Sequence, residues 1–369
     1  MARVEVARSG AVAADDVASM LLGAAFFGSG GGGSFESGGQ LAGVVRRACG
    51  GDPVGIVALA DLPDRARVAV PASFAGQGAS ASIDAAANAF RALGERTGDA
   101  FDAVVPADLT VHGMLTALGV AASCGVPVVD AAGSVRAAHR FDMTTWAAAG
   151  VVPRAVVMAD PTRVVVIDTD STDDADSAAR AVLAGSTLHG PIGGASWAMR
   201  AATLQRSSFP DAVSAALAAG RAASDAWDRG ADPAGALAAA VDRGVVVGRG
   251  KLGEVTVTLT DRGERVEARI DTTEGSFHIC SLDSHIQLRS SHDVLVGAPD
   301  LIAVVTTEGI ALDVGQVTSP EFADIEVAIV VAPSPDLAPA VLPRAVYNRA
   351  HATFGIEGPV PFGIHHLDR

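Results

Sequence analysis

The chain has little with which to staple itself, cross a bilayer or hold a polyanion. Its three cysteines, Cys49, Cys124 and Cys280, are odd in number and scattered, with no Cys-x-x-Cys pair. That excludes a disulfide framework and fits a reducing compartment. No apolar stretch reaches the ~20 residues that a membrane-spanning helix needs, and Met1-Ala2-Arg3-Val4-Glu5 lacks the apolar core of a secretory leader. A cytoplasmic location is expected, with no membrane partner. Lysine is nearly absent, and 27 basic against 42 acidic side chains leave a formal charge of −15. Nucleic-acid affinity rests on Lys and Arg neutralising phosphates, and no basic run offsets the deficit. Nucleic acid is excluded as a partner, which leaves a small-molecule substrate. Aromatics make up 4%, with one tyrosine, Tyr347.

What is there is aliphatic. Hydrophobic residues form 49% of 369 and charged ones 19%, enough for two domains with cores of Ala, Val, Leu and Ile. Val17, Met20, Leu21 and Ala24 recur at helical spacing behind the acidic pair Asp15-Asp16, which suits a helix start. A second helix is expected around Gln40–Ala48. Apolar strands (54–59, 68–70, 103–105, 127–129, 164–168) then alternate with helical segments (81–93, 114–123, 143–149), the pattern of a sheet covered by helices. A domain junction or hinge is expected somewhere between the acidic stretch Asp170–Asp176 and the Gly190–Gly194 turn region, before an alanine-rich helix over Asp211–Arg229. Beyond Gly244 the segments are short and β-branched, with a hairpin across Thr260-Asp261-Arg262-Gly263. The expected architecture is therefore an N-terminal α/β domain with a mixed or parallel sheet (1–172). A second domain (173–369) is helical at first and then β-rich.

Gly28-Ser29-Gly30-Gly31-Gly32-Gly33 satisfies Gly-x-Gly-x-x-Gly by letter. A dinucleotide fingerprint needs a strand before it, and here the preceding residues have helical periodicity. No Gly-Lys-Ser/Thr follows, so a P-loop is excluded too. The run remains either a helix-to-helix turn or a ligand-facing loop whose backbone N–H groups form an anion nest. Gly30, Gly31, Gly32 and Gly33 are taken as substrate-binding.

Two strand ends carry polar groups where open α/β sheets bind ligands. One runs through Asp108 to His112; the other runs from Asp130 through Arg136 to His139. Each strand delivers a carboxylate and each loop a histidine, and Arg136 offers a clamp for a carboxylate or carbonyl. Taken singly, Asp108 and Asp130 also suit helix N-caps.

With these segments in place the chain resembles the S-methyl thiohydantoin desulfurase-like family. The resemblance lies in four blocks: the glycine run, Pro106–His112, Pro127–Ala137 and Ala298-Pro299-Asp300-Leu301-Ile302. Within them the family's glutamate stands as Asp108, its paired glycines as Thr110 and Val111, its asparagine as His112, and a second aspartate as Ala132. The resemblance implies a hydrolase or lyase acting on a small cyclic amide, imide or thiohydantoin-like ring. Asp108 or His112 would act as general base, and Asp130 would orient a base or metal. Arg136 and the glycine amides would stabilise developing charge, with His139 binding substrate. The departures in the pocket leave a second reading open, a non-catalytic binding or partner subunit that keeps the fold. A homo-oligomer or a hydantoinase-like partner is the expected assembly.

His278, Cys280, His285 and His292 cluster late in the chain. On a strand His278 and Cys280 share a face, as ligands of a divalent metal such as zinc would; the alternative is a set of ordinary strand and loop residues. Cys124, before Val126-Pro127, is either a nucleophile or a buried thiol. His365-His366 belongs to the chain end.

Overall fold

A computed structural model describes residues 4, 6–74, 81–185, 187–260, 263–273, 275–290, 293–335 and 344–355. His292 and His365-His366 lie outside them. The strands of the first sheet are β1 (Gly10–Val12), β2 (Val54–Ala58), β3 (Arg67–Phe74), β4 (Ala103–Val104), β5 (Val128–Ala132), β6 (Ala155–Ala159), β7 (Val164–Asp168), β8 (Ile192–Arg200) and β9 (Phe209–Pro210). The second sheet has β10 (Val245–Thr260), β11 (Gly263–Thr272), β12 (Gly275–Leu282), β13 (Ser284–Arg289), β14 (Val294–Gly297), β15 (Leu301–Thr306) and β16 (Glu326–Ala332). Helices α1 (Asp16–Phe27), α2 (Phe35–Ala48), α3 (Ile83–Thr97), α4 (Val111–Cys124), α5 (Thr145–Ala148), α6 (Thr172–Ala184), α7 (Ala201–Ser207) and α8 (Ala212–Asp228) accompany the first sheet, and α9 (Pro233–Ala239), α10 (Val314–Thr318) and α11 (Arg344–Ala352) the second.

The first sheet runs β1-β2-β5-β4-β3-β8-β6-β7, with β9 on β5. Its centre, β2-β5-β4-β3, is parallel, and β8, β6 and β7 extend it antiparallel. The sheet is therefore mixed. The second sheet, β14-β13-β12-β11-β10-β16-β15, is antiparallel throughout. The expected α/β and β-rich architecture is what the chain adopts. The β10–β11 pair forms the expected hairpin; its tip, 261–262, lies outside the described residues.

The Gly190–Gly194 region differs from expectation. Gly193 and Gly194 lie in β8 rather than in a turn, because α3 approaches there: a Cβ on Gly193 would collide with the backbone of Ala85 and Ala86. The acidic stretch opens α6. Ser171 caps it through the Asp174 N–H at 3.0 Å, and Asp173 and Asp174 sit in the positive first turn. The sheets divide later than residue 172, since β8 pairs within the first sheet and the second begins at Val245.

Candidate functional site

Each glycine after α1 is met by a different part of the chain. Gly30, Gly32 and Gly33 have φ of +79°, +74° and +102°, where a side chain is strained. A Cβ on Gly30 would sit 2.5 Å from the His285 ring, and one on Gly31 2.7 Å from both His139 Nε2 and Ala137 Cβ. A Cβ on Gly32 would overlap Thr110, and one on Gly33 would lie 2.8 Å from the His112 ring. Close approach by the chain's own side chains is thus what the glycines permit.

The two sheets meet at this turn. The His285 N–H donates to the Ser29 carbonyl at 2.7 Å, and the Val314 N–H to the Gly30 carbonyl at 2.9 Å. His285 is fully buried, with Nδ1 2.9 Å from Ser281 Oγ. Burial pushes its imidazole down to about 3, with the Arg136 charge adding, so it is neutral. From the first sheet, the His112 N–H donates to the Gly32 carbonyl at 3.0 Å. Burial holds the His112 imidazole below its ordinary value.

Asp108 organises this side. One carboxylate oxygen accepts from Thr110 Oγ1 at 2.8 Å and the other from the Ala138 N–H at 2.9 Å. Thr110 Oγ1 in turn accepts the Gly113 N–H and caps α4. Asp108 therefore fixes both Thr110 against Gly32 and the residue before His139. Burial raises its pKa, against those hydrogen bonds.

His139 is held from outside. Its carbonyl accepts from Arg180 at 2.7 Å, Arg180 pairs with the buried Asp176 at 2.8 Å, and Arg140 pairs with Asp142 at 3.0 Å. Its Nε2 is buried and has no hydrogen-bond partner. Burial lowers its pKa; Asp283 opposes, and Arg136 and Arg180 add to the lowering. His139 is one of the residues lining a cleft of about 220 Å³ walled by Phe74, Phe141, Val156 and Trp197, with Ser196 as a further polar group, while its Nε2 lies against Gly31 of the glycine turn. Trp197 crosses Phe141 edge-on, ring centroids 5.9 Å apart. Its φ is +53°, opposite a register shift between β3 and β8. Such a backbone conformation costs ~1 kcal/mol or more outside glycine, and bulges of this kind re-aim side chains.

The sequence-derived candidates separate accordingly. Gly30–Gly33, Asp108, His112 and His139 come together. Asp130 does not join them: its oxygens accept from the Val213 and Ser214 N–H groups at 2.8 and 3.0 Å and from Ser214 Oγ, at the start of α8. Helix α8 packs on α1, where a Cβ on Gly23 would strike the Ala216 carbonyl. Asp130 thereby bears on the glycine turn through two helices. Arg136 is buried behind His285, with Nη1 2.8 Å from the Asp300 carbonyl and Nη2 on Ser284 Oγ and the His285 carbonyl. His278 and Cys280 stand on β12; Cys280 packs among Met143, Ile286 and Tyr347, and burial pushes its thiol up to about 11. Among the described residues no three His, Cys, Asp or Glu side chains converge on a metal position. Cys124 ends α4, ~20 Å of helix from the glycine turn. Asp283 and Trp197 lie outside the sequence candidates, and His285, read there only with the His278–Cys280 cluster, belongs instead to the glycine turn. Trp197, a large aromatic among small residues in Gly193-Gly194-Ala195-Ser196-Trp197-Ala198, carried the readable signal.

The family models match end to end: the S-Me-THD-like N-terminal domain over residues 15–170 and the S-Me-THD-like C-terminal domain over 169–359. The chain belongs to the S-Me-THD-like family. A crystal structure of a protein from Chromobacterium violaceum aligns with this S-Me-THD-like chain at TM-score 0.78 and 22% identity, covering 96% of this chain and 100% of that one. At that identity it shows a shared fold. No curated protein matches the chain. The two models meet at residues 169–170, before α6, whereas the hydrogen-bonded sheets divide after β9. No helix among the described residues is long and apolar enough to cross a membrane.

Proposed function

We propose that this S-Me-THD-like protein hydrolyses a small planar heterocycle, a cyclic amide or thiohydantoin-like ring, bound in the cleft beside His139. The observation that carries the reading is His139, a residue of a cleft with aromatic walls whose Nε2 is buried without a partner between that cleft's wall and Gly31. A few convergent polar groups in a mostly apolar cavity are the usual form of a small-ligand site. Phe74, Phe141 and Trp197 offer flat apolar surface to a ring. An imidazole kept neutral by burial takes a proton from water. For an S-methyl thiohydantoin, the water oxygen adds to the ring carbon bearing sulfur, one water proton passing to the imidazole and the other ending on the ring nitrogen, and the imidazolium gives its proton to sulfur as the C–S bond breaks. Methanethiol leaves and a ring carbonyl remains, with no change of oxidation state. His112, on the far side of the turn, is the second titratable group of the site, and Asp108 positions both ends of it.

Methanethiol release from S-methyl-2-thiohydantoin tests this. His139→Gln is expected to fold and to lose ~10²–10⁴-fold in turnover, the range of general acid–base catalysis, and His112→Asn to lose less. Unchanged turnover in folded His139→Gln would overturn the reading. Binding of the ring with no turnover at any pH would favour the non-catalytic subunit, which the pairing of both Asp108 oxygens supports.

A further inference from the structure

Arg136 is 1% exposed, yet every acceptor its guanidinium meets is neutral: the Asp300 and His285 carbonyls and Ser284 Oγ. Its Nε has no hydrogen-bond partner, and neither does Ser334 Oγ nearby. Asp300 and Tyr347 face the cation without replacing a partner at Nε; the Tyr347 ring centroid is 5.9 Å from the guanidinium carbon, and Asp300 gives an oxygen to the Ser334 N–H at 2.8 Å. Buried charges are ordinarily paired, and an unmet buried donor is destabilising. Arg136 and Ser334 both line one cavity of about 270 Å³, whose other walls include Phe27, Val241, Pro299 and Leu301. At its edge stands the ion pair Arg243–Asp242 at 3.3 Å.

We infer that this cavity is a second binding site, distinct from the cleft at His139, for a small carboxylate with an apolar body. The carboxylate would accept from Arg136 Nε and Ser334 Oγ, which lets one anion satisfy two buried donors. The apolar body would lie on Phe27, Val241 and Leu301. Arg136 also holds the His285 carbonyl, and Phe27 immediately precedes the glycine run. An occupant therefore sits directly behind the turn that the two sheets share. Nothing in this inference depends on the ring chemistry at His139.

Benzoate and its uncharged counterpart benzamide are suitable probes, titrated calorimetrically into the intact protein. Benzoate is expected to bind at least ~10-fold more tightly than benzamide, a charge-assisted hydrogen bond being worth at least ~1.4 kcal/mol. Ala215→Phe, which fills the cavity from α8 and leaves Arg136 itself in place, is expected to abolish benzoate binding. Arg136→Lys, which keeps the charge but loses Nε, should weaken it. No benzoate binding would mean that water alone satisfies the two donors. Equal affinity for benzamide, or binding that survives Ala215→Phe, would also overturn the inference. Because the readout is binding, failure here leaves the turnover test at His139 untouched.

Discussion

β4 and β5 are adjacent parallel strands; β4 leads to the buried Asp108 and β5 carries the buried Asp130, but the two carboxylates have opposite fates. Asp130 is enclosed by two backbone N–H groups and a hydroxyl of α8, so a helix N-terminus solvates it in place of water. Asp108 receives one backbone N–H and one hydroxyl, and burial raises its pKa. The difference arises from what the chain brings next to each. Beyond Asp130 comes a helix from some eighty residues downstream. Beside Asp108 come the glycine turn and His139. A carboxylate at a strand end becomes an anchor or part of a site according to its distant neighbours.

The glycine turn gives the largest expected contrast. Gly30 and Gly98 have similar φ, +79° and +71°, but a Cβ at Gly98 meets nothing within 4 Å while one at Gly30 meets the buried His285 ring. Gly98→Ala is expected to cost ~1 kcal/mol, the strain of the backbone alone. Gly30→Ala should cost ~3 kcal/mol or more, because the ring or the β13 backbone has to move. Urea unfolding of both variants measures the gap; equal losses would break the claim that the turn is a packed joint between the sheets.

A pH series sharpens the same point. His285 titrates near 6.5 when unfolded and at about 3 when folded, so between those values it takes up its proton only on unfolding. Its stabilising contribution is complete above pH 6.5 and is lost as pH falls through that window, ~1.4 kcal/mol per unit. His112, His139 and His351 are shifted in the same direction. Between pH 7 and pH 5 stability should fall by ~2 kcal/mol from His285 alone, and His285→Gln should flatten the slope. A wild-type slope that matches the variant's would contradict a buried neutral His285.

The smallest effects separate the two aspartates. Asp130→Ala is expected to lose ~1–2 kcal/mol, as for a helix N-cap, with turnover of the folded fraction unchanged. Asp108→Asn should cost ~1 kcal/mol or less, since burial already favours its neutral form, while lowering turnover by misplacing Thr110 and Ala138. The reverse pattern, a stability loss at Asp108 and a turnover loss at Asp130, would exchange their roles.

Much of this was legible in the chain. The helical spacing of Val17, Met20 and Leu21, the glycine run and the β-branched texture beyond Gly244 are local signals, and they mark the two sheets and the turn. Where a tertiary neighbour decided, local reading stopped. Gly193 and Gly194 look like turn residues because nothing nearby in sequence announces that α3 will press on them. Asp130 reads as a cap, but its helix is α8, far along the chain. His285 reaches Gly30 from the other sheet, across some 250 residues, and no spacing rule connects them. The acidic start of α6 follows a local signal too, Ser171 before Asp173 and Asp174.

The central claim is that the ring-binding site is the cleft at His139. A crystal structure of the protein with 2-thiohydantoin tests it most directly. The account predicts the ring against Trp197 at ~4 Å, with a ring N–H, carbonyl or sulfur within ~3.5 Å of His139 Nε2. A ring bound elsewhere, with the space between His139 and Trp197 left to solvent, would contradict it.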